Sequence, residues 1–172
     1  MRTAIDIYHK TVQEPADLVI LADVSGSMSR DRKYERLRRE LLAIWGQRPA
    51  RLMAFASDLH WCDSPHDLPA PYGSTYLDGA LLAAAELWPG EVLVVSDGLP
   101  DNTVAALEAA KKVPGVISVL FVGSDEEQRG AEFLRQLATL SGGMFIHKDL
   151  AKHTSLASEL RSMLALPPPI SL

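Results

Sequence analysis

Four nearly continuous apolar runs punctuate the chain: 18–22 (LVILA), 52–56 (LMAFA), 92–95 (VLVV) and 116–122 (VISVLFV). A strand with water on one face alternates polar and apolar residues, whereas a strand covered on both faces of a parallel sheet does not. The four runs therefore predict buried, parallel strands. A weaker strand is expected at 144–146, after Gly142 and Gly143, and a short edge strand at 59–61, reached by a tight turn. Alternation over 3–8 predicts another edge strand, within an N-terminal extension of residues 1–16.

Between the strands the period changes to that of a helix. Tyr34, Leu37, Leu41 and Ile44 share one face of a first helix, which Gly46 stops. Leu77, Leu81, Ala84 and Trp88 mark a second, closed by Pro89 and Gly90. Val104, Leu107 and Ala110 mark a third, Phe133, Leu137 and Leu140 a fourth, and Leu156, Leu160 and Met163 a fifth. Strands alternating with helices imply right-handed βαβ units and a layered α/β sheet. The domain should occupy 17–165, with 166–172 a Pro-rich tail or the start of a linker. A chain opening on methionine reads as a small whole protein or as the first domain of a longer one.

Composition narrows the partners more than the fold. A chain of 172 residues, 47% hydrophobic and 23% charged, is the size and make-up of one globular domain. A net charge of −5 gives no footprint for nucleic acid or for an anionic membrane surface. The longest apolar run, 116–122, falls far short of the ~20 residues needed to span a bilayer, and MRTAIDIYHK has no signal-peptide apolar region. A single cysteine, Cys62, excludes an internal disulfide or a multi-thiolate zinc site, and a cytoplasmic location is expected.

Ligands of such sheets bind beyond the carboxyl ends of the strands, where the strand order reverses. The loop after the first strand reads Asp23-Val24-Ser25-Gly26-Ser27-Met28, the loop after the fourth Ser96-Asp97-Gly98-Leu99-Pro100, and Gly73-Ser74-Thr75 precedes the second helix. Asp23, Ser25 and Ser27 are hard oxygen donors at i, i+2 and i+4, with Gly26 freeing the backbone to turn between them. Carboxylates and hydroxyls without soft ligands suit Mg²⁺, Mn²⁺ or Ca²⁺. Asp97 and Thr75 add a carboxylate and a hydroxyl.

With D-x-S-x-S after the first strand, Thr75 before the second helix and Ser96-Asp97-Gly98 after the fourth strand, the sequence resembles the von Willebrand factor A (VWA) family over about residues 17–165. The resemblance implies a Rossmann-like, doubly wound, mostly parallel sheet with one short antiparallel edge strand and helices on both faces. It also implies an intact metal-ion-dependent adhesion site. Ser25, Ser27 and Thr75 match hydroxyls that ligate the metal; Asp23 and Asp97 match carboxylates that act mostly through bound waters. The implied cofactor is Mg²⁺, with Mn²⁺ or Ca²⁺ as substitutes. The implied function is non-enzymatic: a protein partner supplies an Asp or Glu carboxylate to the cation, within an intracellular assembly that includes an AAA+ ATPase or another subunit. Met28, Ser74, Tyr76, Gly98 and Leu99 are the candidate partner contacts.

Two enzyme-like alternatives use the same aspartates. Asp23 is placed like the nucleophile of a haloacid-dehalogenase-like phosphatase, but Ser25 stands where such an enzyme needs a second, acidic Asp. A receiver-type regulatory domain with Asp23 or Asp97 as phosphoacceptor fits a serine-rich first loop poorly. Residues 30–40 carry six basic side chains against three acidic ones and read as a solvated helix face. His60, Cys62 and His66 lack a fourth zinc ligand. Trp45 and Trp88 read as packing residues, Trp61 as the tryptophan to suspect of exposure.

Overall fold

The structure is a computed structural model that describes residues 16–150, 152 and 155–166. The strand expected at 3–8, the proline tail and His153 lie outside the described residues. Among the described residues six strands form one sheet in the order β3-β2-β1-β4-β5-β6. They are β1 (Leu18–Asp23), β2 (Arg51–Phe55), β3 (Leu59–Cys62), β4 (Glu91–Ser96), β5 (Val116–Phe121) and β6 (Phe145–His147). All neighbours pair in parallel except β2 and β3, an antiparallel hairpin closing one edge. The fold is thus the α/β, Rossmann-like, mostly parallel sheet that the sequence predicts.

Five α-helices of the described residues cover the sheet: α1 (Lys33–Ile44), α2 (Leu77–Ala85), α3 (Thr103–Ala110), α4 (Gln128–Ser141) and α5 (Ala157–Met163). Along β1, Leu18, Ile20 and Ala22 face α1 and α5, which contribute Leu37, Leu41 and Leu160 to the same core, with Leu156 just before α5. Val19 and Leu21 face the other way, onto the side chains of α2, α3 and α4. Both faces of the central strands are therefore dry, which is why their sequences do not alternate.

Three helix faces differ from their predicted ones. Trp88 is 75% exposed: α2 ends at Ala85, and with φ +50° at Trp88 the chain has left the helical repeat. Val104 is also exposed, because α3, which packs beside α2, buries Ala106, Ala109 and Ala110 instead. These small residues admit a close approach and leave the larger side chain outside. Leu140 is exposed near the end of α4, whose buried stripe runs through Phe133, Leu134, Leu137 and Ala138. Trp61 is half-buried, with the Arg51 guanidinium 4.9 Å from its ring centroid, and Trp45 packs against the α1 core.

Candidate metal centre

The strand order reverses between β1 and β4, and both strands run one residue past their apolar stretch before turning. Asp23 ends β1 and Ser96 ends β4, so the switch point receives a carboxylate and a hydroxyl from strand ends held by the parallel ladder. Beyond β1 the segment Gly26–Arg32 winds as a 3-10 turn broken at Arg30 and Asp31. Asp31 and Arg32 then adopt φ of +53° and +57°, the left-handed region, which costs about 1–2 kcal/mol for each such residue. These two residues swing the chain into α1, and Lys33 opens that helix.

Four of the expected residues meet in one hydrogen-bonded cluster. Ser27 Oγ donates to Asp97 Oδ1 at 2.7 Å and lies 3.1 Å from Ser25 Oγ. With the Ser27 proton committed to Asp97, the Ser25 hydroxyl is the donor between the two serines. Asp23 accepts from the Ser25 backbone N–H at 2.8 Å on one oxygen and from Ser96 Oγ at 2.6 Å on the other. Asp23, Ser25, Ser96 and Asp97 are buried, while Ser27 is half-exposed. Burial, and then the charge of Asp97, raise the Asp23 pKa to about 6, against the bonds from Ser25 and Ser96 that favour its ionised form.

Thr75 sits on the adjoining loop, tied to the cluster through backbone. Gly73 O accepts from Gly26 N–H at 3.1 Å, and Tyr72 N–H donates to Val24 O at 2.9 Å. Gly73 has φ +66°, and a Cβ there would stand 2.1 Å from Ser57 Oγ, so glycine is required on both counts. Thr75 itself is held by Asp101, whose Oδ1 accepts from the Thr75 backbone N–H at 2.9 Å, while Asp101 N–H donates to Thr75 O. The structure thus puts Thr75 beside the cluster without bonding its hydroxyl to Ser25 or Ser27.

Of the residues expected to touch a partner, Met28 is a correction. It is fully buried in the core beneath the turn, where its apolar side chain packs among the residues facing α1, and it has no surface to offer. Ser74, Tyr76 and Leu99 are exposed on the rim, and Gly98 is partly so. Gly98 and Leu99 also border an open groove of about 520 Å³ against Glu126–Gly130 at the start of α4.

Three residues were missed as site residues. Ser96 orients Asp23, Asp101 anchors Thr75, and Lys33, read as part of a solvated basic face, is 3% exposed with Nζ 2.8 Å from Asp97 Oδ2. Ser96 and Asp101 lie within or beside the Ser96–Asp97–Gly98 motif. Lys33 had no local signal, since its direction depends on the left-handed pair before it.

The donor set decides what the cluster can hold. Among the described residues no group of three or more His, Cys, Asp or Glu side chains is gathered as a ligand set. His60 instead bonds Tyr72 Oη at 2.9 Å, and Cys62 is a free, buried thiol. What the switch point does offer is two carboxylates and the three hydroxyls of Ser25, Ser27 and Ser96, all hard oxygen, which fits a hard divalent cation and no soft one. The Lys33 ammonium already on Asp97 opposes such an ion.

No family model matches the sequence, and no curated protein matches it. Solved structures do. The manganese-loaded TRAP protein of Plasmodium vivax superposes with a TM-score of 0.60 at 17% identity, over 88% of this chain and 74% of that one. The pilus adhesin SpaC of Lactobacillus rhamnosus GG, in its open conformation, gives 0.66 at 12% identity, over 87% of this chain and 29% of that one. The human COPII-coat protein Sec24c gives 0.59 at 10%, over 91% and 32%. The chain therefore spans about three quarters of the TRAP chain and about a third or less of the other two. At these identities the likeness is one of architecture, and the architecture is VWA-like.

Proposed function

We propose that this chain is a non-enzymatic, metal-dependent protein-interaction module. A divalent cation, Mg²⁺ by default with Mn²⁺ or Ca²⁺ in its place, is held among Ser25, Ser27, Thr75, Asp23 and Asp97, and an Asp or Glu carboxylate of the partner completes its shell. One observation carries the reading: Ser25, Ser27, Asp23 and Asp97 meet in a single hydrogen-bonded cluster at the switch point of the sheet. Its carboxylates are buried, and Ser27 is half-exposed. A cation ligated there largely by hydroxyls and water keeps much of its charge, so an incoming carboxylate gains more than at a carboxylate-rich site. The manganese-loaded TRAP structure and the pilus adhesin share the architecture and support the reading. The free thiol of Cys62 suits a reducing compartment, the cytoplasm, where the partner is a subunit of a larger assembly such as one built on an AAA+ ATPase.

The test is capture of partner by the immobilised chain in Mg²⁺ and in EDTA, with Ser27→Ala and Thr75→Ala alongside. Bound protein should be released by EDTA and absent from both variants. Capture that survives EDTA and both substitutions overturns the reading. Asp97→Ala is a poor reagent here, because it strands the Lys33 ammonium.

A further inference from the structure

The cluster already contains a positive charge. Lys33 Nζ is 2.8 Å from Asp97 Oδ2, and the two side chains are only 4% and 1% exposed. Asp97 Oδ1 is taken by Ser27. Both oxygens of the carboxylate on which a divalent ion would draw are thus engaged, one of them by a full ammonium charge. We propose that Lys33 is a resident monovalent cation of this site, competing with the divalent ion for Asp97 and setting the ion concentration at which the site loads. This rests on the cation-binding reading above.

Charge and reach both support it. Two carboxylates and one ammonium leave the cluster one charge negative; adding a divalent ion with Lys33 in place makes it one charge positive. In a buried setting like charges a few ångströms apart are poorly screened, so either the ion binds weakly or the ammonium moves. A lysine stem is long and flexible enough to move, and a second acceptor is at hand. Glu127, just before α4, places Oε2 3.8 Å from where a Cβ on Gly98 would stand, next along the chain from Asp97. Burial raises the Glu127 pKa, and the nearness of Lys33 works against that rise. Asp97 thus holds the ammonium directly, and the Glu127 carboxylate is near enough to feel its charge.

Manganese titration by calorimetry separates this from a purely structural ion pair. Lys33→Gln keeps a donor for Asp97 without the charge, and Lys33→Met removes both; Arg32→Gln, exposed on the preceding residue, controls for a distant loss of charge. Both Lys33 variants should bind Mn²⁺ about tenfold or more tighter than wild type, with Arg32→Gln within about twofold. Circular dichroism checks folding, and should Lys33→Met not fold, Lys33→Gln carries the comparison. A larger rise in melting temperature with Mn²⁺ in the variants is the same result read through stability. Wild type that binds Mn²⁺ no more weakly than the Lys33 variants overturns the inference and leaves the cation reading standing. Variants that bind where wild type does not support the inference and overturn the cation reading for the native chain. No binding by any of the chains overturns both.

Discussion

Asp97 serves two donors at once, Ser27 on one oxygen and Lys33 on the other. Truncating it leaves a buried ammonium without its counter-charge, and breaking a buried pair from one side costs about 3–5 kcal/mol. Asp97→Ala should lose that much in urea unfolding, and the Lys33→Met/Asp97→Ala double variant should regain more than half of it. A double variant no more stable than Asp97→Ala would falsify this account. Ser27→Ala, which removes one half-exposed hydroxyl, should cost no more than about 1.5 kcal/mol. Asp23 sets a pH dependence of opposite sign to that of an ion-paired acid. Its folded pKa, about 6, lies above the 3.8 ordinary for an aspartate in water. The folded state therefore holds the proton more tightly, and between about pH 4 and 6 this group adds stability as pH falls. The penalty is complete above pH 6 and on the order of 1–3 kcal/mol. In EDTA, the stability difference between wild type and Asp23→Asn should narrow from pH 7 to pH 5; a difference flat in pH refutes the assignment. The sequence made Asp23, Ser25, Ser27 and Asp97 legible because each stands at a strand end or in the first turn after it. Lys33 was illegible because a lysine in a basic stretch reads as solvated, and only the kink at Asp31 and Arg32 turns it inward.

At the scale of elements, strands were easier to read than helix faces. Burial on both sides makes the interior of β1, β2, β4 and β5 apolar almost throughout, Ser118 excepted, so their existence needed no periodicity. Helix faces rest on a repeat that fails near the ends: Trp88 lies past the end of α2, and Leu140 in the last turn of α4. In α3 the misreading came from size, since the alanines at 106, 109 and 110 are the buried residues and Val104 is not. The difference is measurable on α4. Leu134, fully buried, should lose about 2–5 kcal/mol on substitution by alanine. Leu140→Ala should stay within about 0.5 kcal/mol of wild type. Equal losses at the two positions would mean that the helix is rotated from the orientation described.

For the molecule as a whole, two apolar cores on opposite faces of one sheet hold the fold, and the oxygen cluster lies at the rim of both. Chelation should therefore leave a single cooperative melt, shifted by no more than mass action at a site of modest affinity. Loss of that transition in EDTA would make the cation structural. The strand order carries a further consequence. β1, β2 and β3 come from the first part of the chain and β4, β5 and β6 from the second, and in the sheet the two sets touch only where β1 meets β4. The bonds from Ser27 and Lys33 to Asp97, and from Ser96 to Asp23, all cross that junction. A chain cut between α2 and β4 would give two fragments, neither holding more than part of the cluster. Cation capture would then report fragment reassembly, as a split reporter does, with the parallel zip of β1 onto β4 as the event it records.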